Sequence, residues 1–263
     1  MASNPNSFLA YFALFKLTLR QLFWSRRGLL ILIGGLLPLV IALVVRFYAR
    51  RSGLVNGFIP NITFVYYGFL TNLCAIFYGS AIVSDEIDGK GLTYLQMRPL
   101  RKSLILLSKF AAYMIGTVVL ISISHLLLTG IMETHPKLRD RFLVLGMSFR
   151  YTGSMALGFL AYGAFAVLLS ARYKHPVLWG LLFVFGWERI TIIPLMPMGI
   201  KRISVTHYLM TIFPDFKLRR DMLDDLLGNT PPTVWVAALV ICLLTVGAMW
   251  LAIRIFRERE YLM

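Results

Sequence analysis

Six stretches of the chain are each long and apolar enough to cross a lipid bilayer, and this limits the fold more than any other feature. They run approximately Leu29–Val45, Ile62–Val83, Phe110–Met132, Tyr151–Ser170, Val177–Met198 and Val234–Ile253. A helix needs about 20 mostly apolar residues to cross a hydrocarbon core about 30 Å thick. Backbone polar groups find no water there, so a spanning segment must be a helix or part of a closed barrel. The alternating pattern of a barrel strand is absent, which leaves helices. The expected fold is therefore an all-α integral membrane protein with six transmembrane helices. Composition agrees: 58% of the 263 residues are hydrophobic and the mean hydropathy is +0.73, against roughly 45–50% apolar for a soluble domain.

Ahead of the first span, Phe8, Phe12, Phe15, Leu19 and Leu22 recur at helical spacing with Lys16 and Arg20 on another face. The pattern predicts an amphipathic interfacial helix within residues 1–27, followed by one membrane domain over residues 28–263. A helical extension of the first span is the plainer alternative. No secretory signal fits, because Lys16, Arg20, Arg26 and Arg27 lie in or after an aromatic stretch with no small-residue cleavage site, so the whole chain reads as mature protein. The segment from about 199 to 233 holds amphipathic material around Tyr208–Phe213 and Phe216–Leu227, which predicts short outer helices between spans five and six.

The formal charge is +15, yet the basic residues are scattered between apolar runs, so membrane-surface contact is expected and nucleic-acid binding is not. Cys74 and Cys242 lie in apolar segments without His or Cys at metal-ligand spacing, so they read as packed thiols and no metal site is expected. Six crossings place both termini on one side. Inner segments would carry 14 Lys and Arg against 12 in outer ones, too even a division to fix the orientation by the positive-inside bias.

The most informative stretch joins spans two and three. Asp85, Glu86 and Asp88 leave the membrane together, Gly89 and Gly91 permit a turn, and a short apolar run follows that Pro99 breaks before Arg101 and Lys102. Such a compact, charged, partly apolar surface suits docking of a soluble partner. Here the sequence resembles the type-2 ABC exporter permeases, in which the second span ends in acids followed by Gly-Lys-x-Leu-Thr-Tyr-Leu, two variable residues, Arg-Pro, an aliphatic and a basic residue. Asp85, Glu86, Asp88, Gly89, Lys90, Leu92, Thr93, Tyr94, Leu95, Arg98, Pro99, Leu100 and Lys102 match that pattern, as does Lys109; Gly91 and Arg101 depart from it.

The resemblance implies that segment 84–102 is a cytoplasmic coupling element seated on a separate ABC ATPase, present in two copies, with Asp85, Glu86, Asp88, Lys90, Thr93, Tyr94, Arg98, Pro99, Leu100 and Lys102 as its contacts. It also implies a permease homodimer, an N-terminal connecting helix, cytoplasmic termini and a plasma-membrane location, the inner membrane in a Gram-negative cell. The chain contains no glycine-rich loop ending in Gly-Lys-Ser/Thr, so ATP and Mg²⁺ are expected on the partner and no cofactor on this chain. The expected function is the transmembrane subunit of an ATP-driven exporter; an anchor for an ATPase-driven assembly that translocates nothing is the alternative.

Within span five, Glu188 and Arg189 lie roughly 18 Å deep at 1.5 Å per residue. Charges at that depth face a partner, a cavity or an interface. Adjacent residues do not share a helical face, so the two are not expected to pair simply with each other. A place on the pathway or dimer interface and a structural ion-pair network both fit, and Pro194 with Pro197 predicts a break beyond them. His125 in span three reads as an interhelical hydrogen-bonding group. An intramembrane enzyme built on His125 or Glu133 would need a convergent nucleophile, base and orienting group, and neither His-Glu-x-x-His nor Gly-x-Ser-x-Gly occurs, so no catalytic residue is expected.

Overall fold

A computed structural model describes residues 5–24, 26–49, 51–88, 101–138, 141–191, 197–213 and 232–258. All regular structure among them is helical. The helices are α1 (Pro5–Trp24), α2 (Arg26–Tyr48), α3 (Ser52–Ile62, a π-helical turn Thr63–Tyr67, and Gly68–Asp88), α4 (Lys102–Glu133), α5 (Arg141–Arg172), α6 (Pro176–Leu182, a π-helical turn Phe183–Trp187, and Glu188–Thr191), α7 (Met198–Lys201), α8 (Val205–Ile212) and α9 (Val234–Glu258).

Four of these carry stretches long and apolar enough to cross a membrane: Gly53–Ser84, Lys102–Glu133, Val144–Arg172 and Val234–Glu258. They correspond to the second, third, fourth and sixth expected spans. The first expected span falls in α2, whose apolar stretch Leu32–Tyr48 is shorter than those four. The fifth falls in α6, which is helical to Thr191, while residues 192–196, Pro194 among them, lie outside the described residues.

Helix α5 is the centre of the bundle. It packs most extensively on α3 and α9, with α4 also against it. Small residues set the closest approach. A Cβ at Gly79 of α3 would come within 2.8 Å of the Ala166 Cβ and 2.9 Å of the Gly163 carbonyl on α5. One at Gly163 would strike the Tyr113 ring, including its hydroxyl at 2.6 Å. That ring cannot step aside, because Tyr113 is buried and its hydroxyl donates to the Phe159 carbonyl at 3.1 Å. Lipid tails are as apolar as leucine, so close backbone packing of this kind holds helices together where a hydrophobic driving force between them is missing.

Hydrogen bonds knit the remaining helices. Ser124 of α4 donates to the Gly35 carbonyl of α2 at 2.5 Å. Its proton is thus committed, so the Tyr67 hydroxyl at 2.8 Å is the donor to Ser124 Oγ, and three helices meet in one chain of bonds. The neighbouring Tyr66 hydroxyl donates to the Gly34 carbonyl at 2.6 Å. Thr63 donates to the Ile59 carbonyl at 2.6 Å, so its oxygen accepts from His125 Nε2 at 2.9 Å. The network therefore assigns the Nε2–H tautomer to His125. As expected from the sequence, the histidine bonds to a neighbouring helix.

Helix α1 crosses α4 at Gly116, where Leu19 and Leu22 approach closely. The expected apolar stripe is split: Leu22 is buried with Leu14, whereas Phe12 is exposed and stacks on Phe15 at 6.2 Å. Burial falls on the i, i+8 pair Leu14 and Leu22, a choice that helical periodicity alone does not make. The outward faces of α2 and α9 stay apolar, with Ile33, Val40 and Phe47 on one and Leu239, Leu243 and Trp250 on the other exposed from the bundle. Surfaces of this extent are compatible with lipid and not with water.

Gly163→Ala should lower the unfolding midpoint of the full chain in detergent, at a cost of about 1–3 kcal/mol for overpacking. Gly153→Ala, where a Cβ meets nothing within 4 Å, should hold or raise the midpoint, because alanine is the better helix former. Thermal unfolding of both variants checks the contrast in sign.

Candidate functional site

The two π-helical turns face one cavity. Each inserts an extra residue into its helix and shifts the register of the side chains beyond it, a device often found at functional sites. The first follows Pro60, which removes a donor from the hydrogen-bond ladder of α3. The second contains Gly186. Between them lies a cavity of about 100 Å³ bounded by Phe64, Gly68, Thr71 and Asn72 of α3, Ser154, Met155, Gly158 and Tyr162 of α5, Val184, Glu188 and Arg189 of α6, and Thr206, Leu209, Met210 and Phe213 around α8.

Glu188 is 1% exposed. One carboxylate oxygen, Oε2, accepts from Ser204 Oγ at 2.5 Å and from the Thr206 N–H at 3.0 Å; the other, Oε1, accepts from the Val205 N–H at 3.2 Å. These N–H groups open α8, and Ser204 at its N-cap makes no side-chain cap bond of its own. The carboxylate of α6 thus caps α8 from outside, where a negative charge is favoured by the helix dipole and by the unsatisfied donors of the first turn. Thr206 is fixed a second time, its hydroxyl 2.8 Å from that of Tyr162. Burial lowers the pKa of His207, with Arg202 and Lys201 adding to the shift, so α8 carries a neutral imidazole at neutral pH.

Arg189 is exposed, also lines the cavity and forms no ion pair with Glu188, as expected for neighbours on a helix. Glu188 thus ties α6 to the start of α8, while Arg189 combines exposure with a place in the cavity lining. The sequence singled out both residues by depth and charge. It offered no signal for Thr71, Ser204 or Thr206, which are isolated small polar residues until the helices bring them together.

The acid-to-base segment after α3 is only partly described. Asp85, Glu86 and Asp88 extend the α3 backbone as helix, and Lys102 opens α4. Lys90, Thr93, Tyr94, Arg98, Pro99 and Leu100 lie outside the described residues. Helix α1 is bonded to both flanking helices: the Arg101 N–H donates to the Tyr11 hydroxyl at 3.1 Å, and the Tyr78 hydroxyl of α3 donates to the Leu22 carbonyl at 3.3 Å. Among the described residues, no group of three or more His, Cys, Asp or Glu could hold a metal ion.

A family profile described as "ABC-2 family transporter protein" matches residues 23–187, well over half of the chain. The chain belongs to this ABC-2 transporter family. It is thus a multi-pass membrane subunit of an ABC transporter, a class in which the ATPase generally resides on a separate subunit. The match includes the whole 84–102 segment and ends one residue before Glu188, so the charged pair of the cavity lies beyond the matched part of this ABC-2 protein. No curated protein matches the chain.

Glu188→Ala removes three accepted bonds at once, two from backbone groups and one from Ser204. Loss of charge-assisted bonds of this kind should destabilise the α8 region by about 1.5–3 kcal/mol. Faster hydrogen exchange at the Val205 and Thr206 amides, with protection in α5 unchanged, is the expected result.

Proposed function

We propose that this chain is the permease subunit of an ATP-driven exporter in which a separate ATPase moves segment 84–102 and so reorients the spans around a shared pathway. The observation that carries the reading is that the matched family stretch contains the acidic-to-basic segment, and that α1 is bonded to both helices flanking it. Motion delivered there would reach α1, α3 and α4 together. Coupling needs contacts that differ between the two states of the ATPase. Asp85, Glu86, Asp88, Lys90, Arg98 and Lys102 supply charge for such contacts, with Thr93, Tyr94, Pro99 and Leu100 between them.

In this reading α2 and α6 also cross the bilayer, making six spans, with α1 lying along the cytoplasmic surface and residues 199–233 on the outer side. Both termini are cytoplasmic and the membrane is the plasma membrane. ATP and Mg²⁺ remain on the two ATPase copies, and two permease copies enclose the pathway, with Arg189 facing it or the partner permease. The exposure of Arg189 and its place in the cavity lining support that assignment.

Two measurements test the proposal. A cysteine at Tyr94, in a background lacking Cys242, should react with an impermeant maleimide only after the membrane is opened; reaction from outside would reverse the orientation. Glu86→Gln and Arg98→Gln should leave an ATPase bound to the purified chain yet weaken permease-dependent stimulation of ATP turnover about tenfold, the worth of one charge-assisted contact of about 1.4 kcal/mol. Unchanged stimulation in both would place the coupling element elsewhere.

A further inference from the structure

Helices α2 and α4 run parallel and are fastened to each other at two levels. Near their middles Ser124 donates to the Gly35 carbonyl. Eleven residues further along α2, Arg46 Nε donates to Thr134 Oγ1 at 2.8 Å, just past the end of α4. The same end is tied a second time. The Lys137 N–H donates to His135 Nδ1 at 3.1 Å, so the imidazole proton sits on Nε2, which donates to the Ala49 carbonyl at 3.3 Å. Between the two levels the helices do not close on each other. They leave an open groove of about 670 Å³, walled by Leu43, Arg46 and Phe47 from α2 and by residues from Ile123 to Thr134 on the α4 side.

The dimensions and the chemistry of the groove point to one kind of occupant. Ile123, Leu127, Gly130 and Thr134 form an exposed stripe at helical spacing on its α4 wall. From the first to the last is eleven residues, roughly 16 Å of helix, which is about half of a 30 Å hydrocarbon core and so the depth of one leaflet. A Cβ at Gly130 would meet nothing within 4 Å, so the groove is open there too. Walls left bare in this way forfeit dispersion contacts that a hydrocarbon tail would restore. The polar end holds Arg46, which is half-buried. Its Nε is spent on Thr134, whose own proton goes to the Ile131 carbonyl at 2.7 Å. Among the described residues no carboxylate pairs with this guanidinium, and its terminal amino groups can only donate. Basic pockets between membrane helices of this kind suit anionic lipid headgroups.

We propose that the α2–α4 groove is a binding site for a phospholipid of net negative charge, its phosphate on Arg46 and one acyl chain lying along Leu127, Gly130 and Ile123 towards the bilayer midplane. A second copy of this chain fits the groove less well. With 27 Lys and Arg against 12 Asp and Glu, another copy is a poor source of the anion that Arg46 lacks, whereas a lipid brings the anion and the hydrocarbon in one molecule. The site needs a bilayer and this chain alone, so it stands apart from the exporter reading, and loss of ATPase coupling with lipid binding intact would count against that reading only.

Native mass spectrometry of the full chain in detergent, titrated with palmitoyl-oleoyl phosphatidylglycerol or with the matching phosphatidylcholine, reads the first bound lipid directly. Phosphatidylglycerol should bind about fivefold more tightly, the worth of one basic residue at an anionic headgroup. Arg46→Gln should erase that preference, whereas Arg254→Gln, which removes an exposed arginine paired with Glu258 on α9, should keep it. Gly130→Leu and Leu43→Trp, at exposed positions on opposite walls, should each weaken the first binding of both lipids several-fold without lowering the thermal midpoint. Equal affinity for the two lipids in the wild type, or a preference that survives Arg46→Gln, would overturn the headgroup assignment. Undiminished binding in both filled variants would overturn the location. A fall in two-chain species in those variants, with lipid binding unchanged, would make a second copy the occupant and end the proposal.

Discussion

In a hydrocarbon solvent a polar group without a partner costs several kcal/mol, so every hydroxyl, amide and imidazole carried into the bilayer has to find its partner inside the protein. Most of the bundle follows this constraint helix by helix, with Thr71 Oγ1 and His125 Nδ1 as buried atoms that have no hydrogen-bond partner among the described residues. Serine and threonine side chains turn back to carbonyls of their own helix, as Thr117 does to Tyr113 and Thr245 to Ile241. Others reach across, so that Tyr67, Ser124 and Gly35 join three helices and the Thr63 hydroxyl oxygen accepts a hydrogen bond from His125 Nε2–H. Each interhelical bond contributes only about 0.6–2 kcal/mol. Their greater effect is on register, since a helix that rotated or slid would leave several groups unmatched together.

Close packing complements these bonds. The α3–α5 seam is built from Gly79, Gly163 and Ala166, with the Tyr113 ring filling the space that a side chain at Gly163 would need. Across the same helix, Ile76 fits against Gly180 of α6, where a Cβ would come within 2.8 Å. Helix α3 therefore has α5 and α6 fixed along one half. Its other features, Pro60 and the π-helical turn, lie in the opposite half, where the cavity opens. The rigid seam and the irregular, hollow region belong to different ends of one helix.

This division bears on the proposed mechanism. Twelve residues separate Asn72 at the cavity from Ser84 at the start of the acidic segment, roughly 18 Å of continuous helix. A displacement applied beyond Ser84 would travel along α3 as along a rod, past the Gly79 seam, to the wall that carries Thr71. Helix α1, bonded to α3 and to the start of α4, would make those elements move together. On the far wall, Glu188 joins α6 to α8, so the outer boundary of the cavity also behaves as one piece.

Much of this protein was legible in its sequence because hydrophobic length and the demand for internal hydrogen bonding act locally. Runs such as Phe110–Met132 and Val234–Ile253 have to be helices whatever surrounds them, and the residues from Asp85 to Lys102 carry a pattern specific enough to show the resemblance that the family match bears out. Depth in an apolar run also marked Glu188 and Arg189 as unusual. What each charge does was decided only by tertiary structure: Glu188 caps α8, sixteen residues further along the chain, and Arg189 opens to the cavity. The same holds for Thr71 and for the choice of Leu14 and Leu22 as the packed face of α1. Helical periodicity says which residues share a face. Which neighbour that face meets, and whether a π-helical turn has shifted its register, depends on contacts between segments far apart in the chain, and no local pattern encodes them.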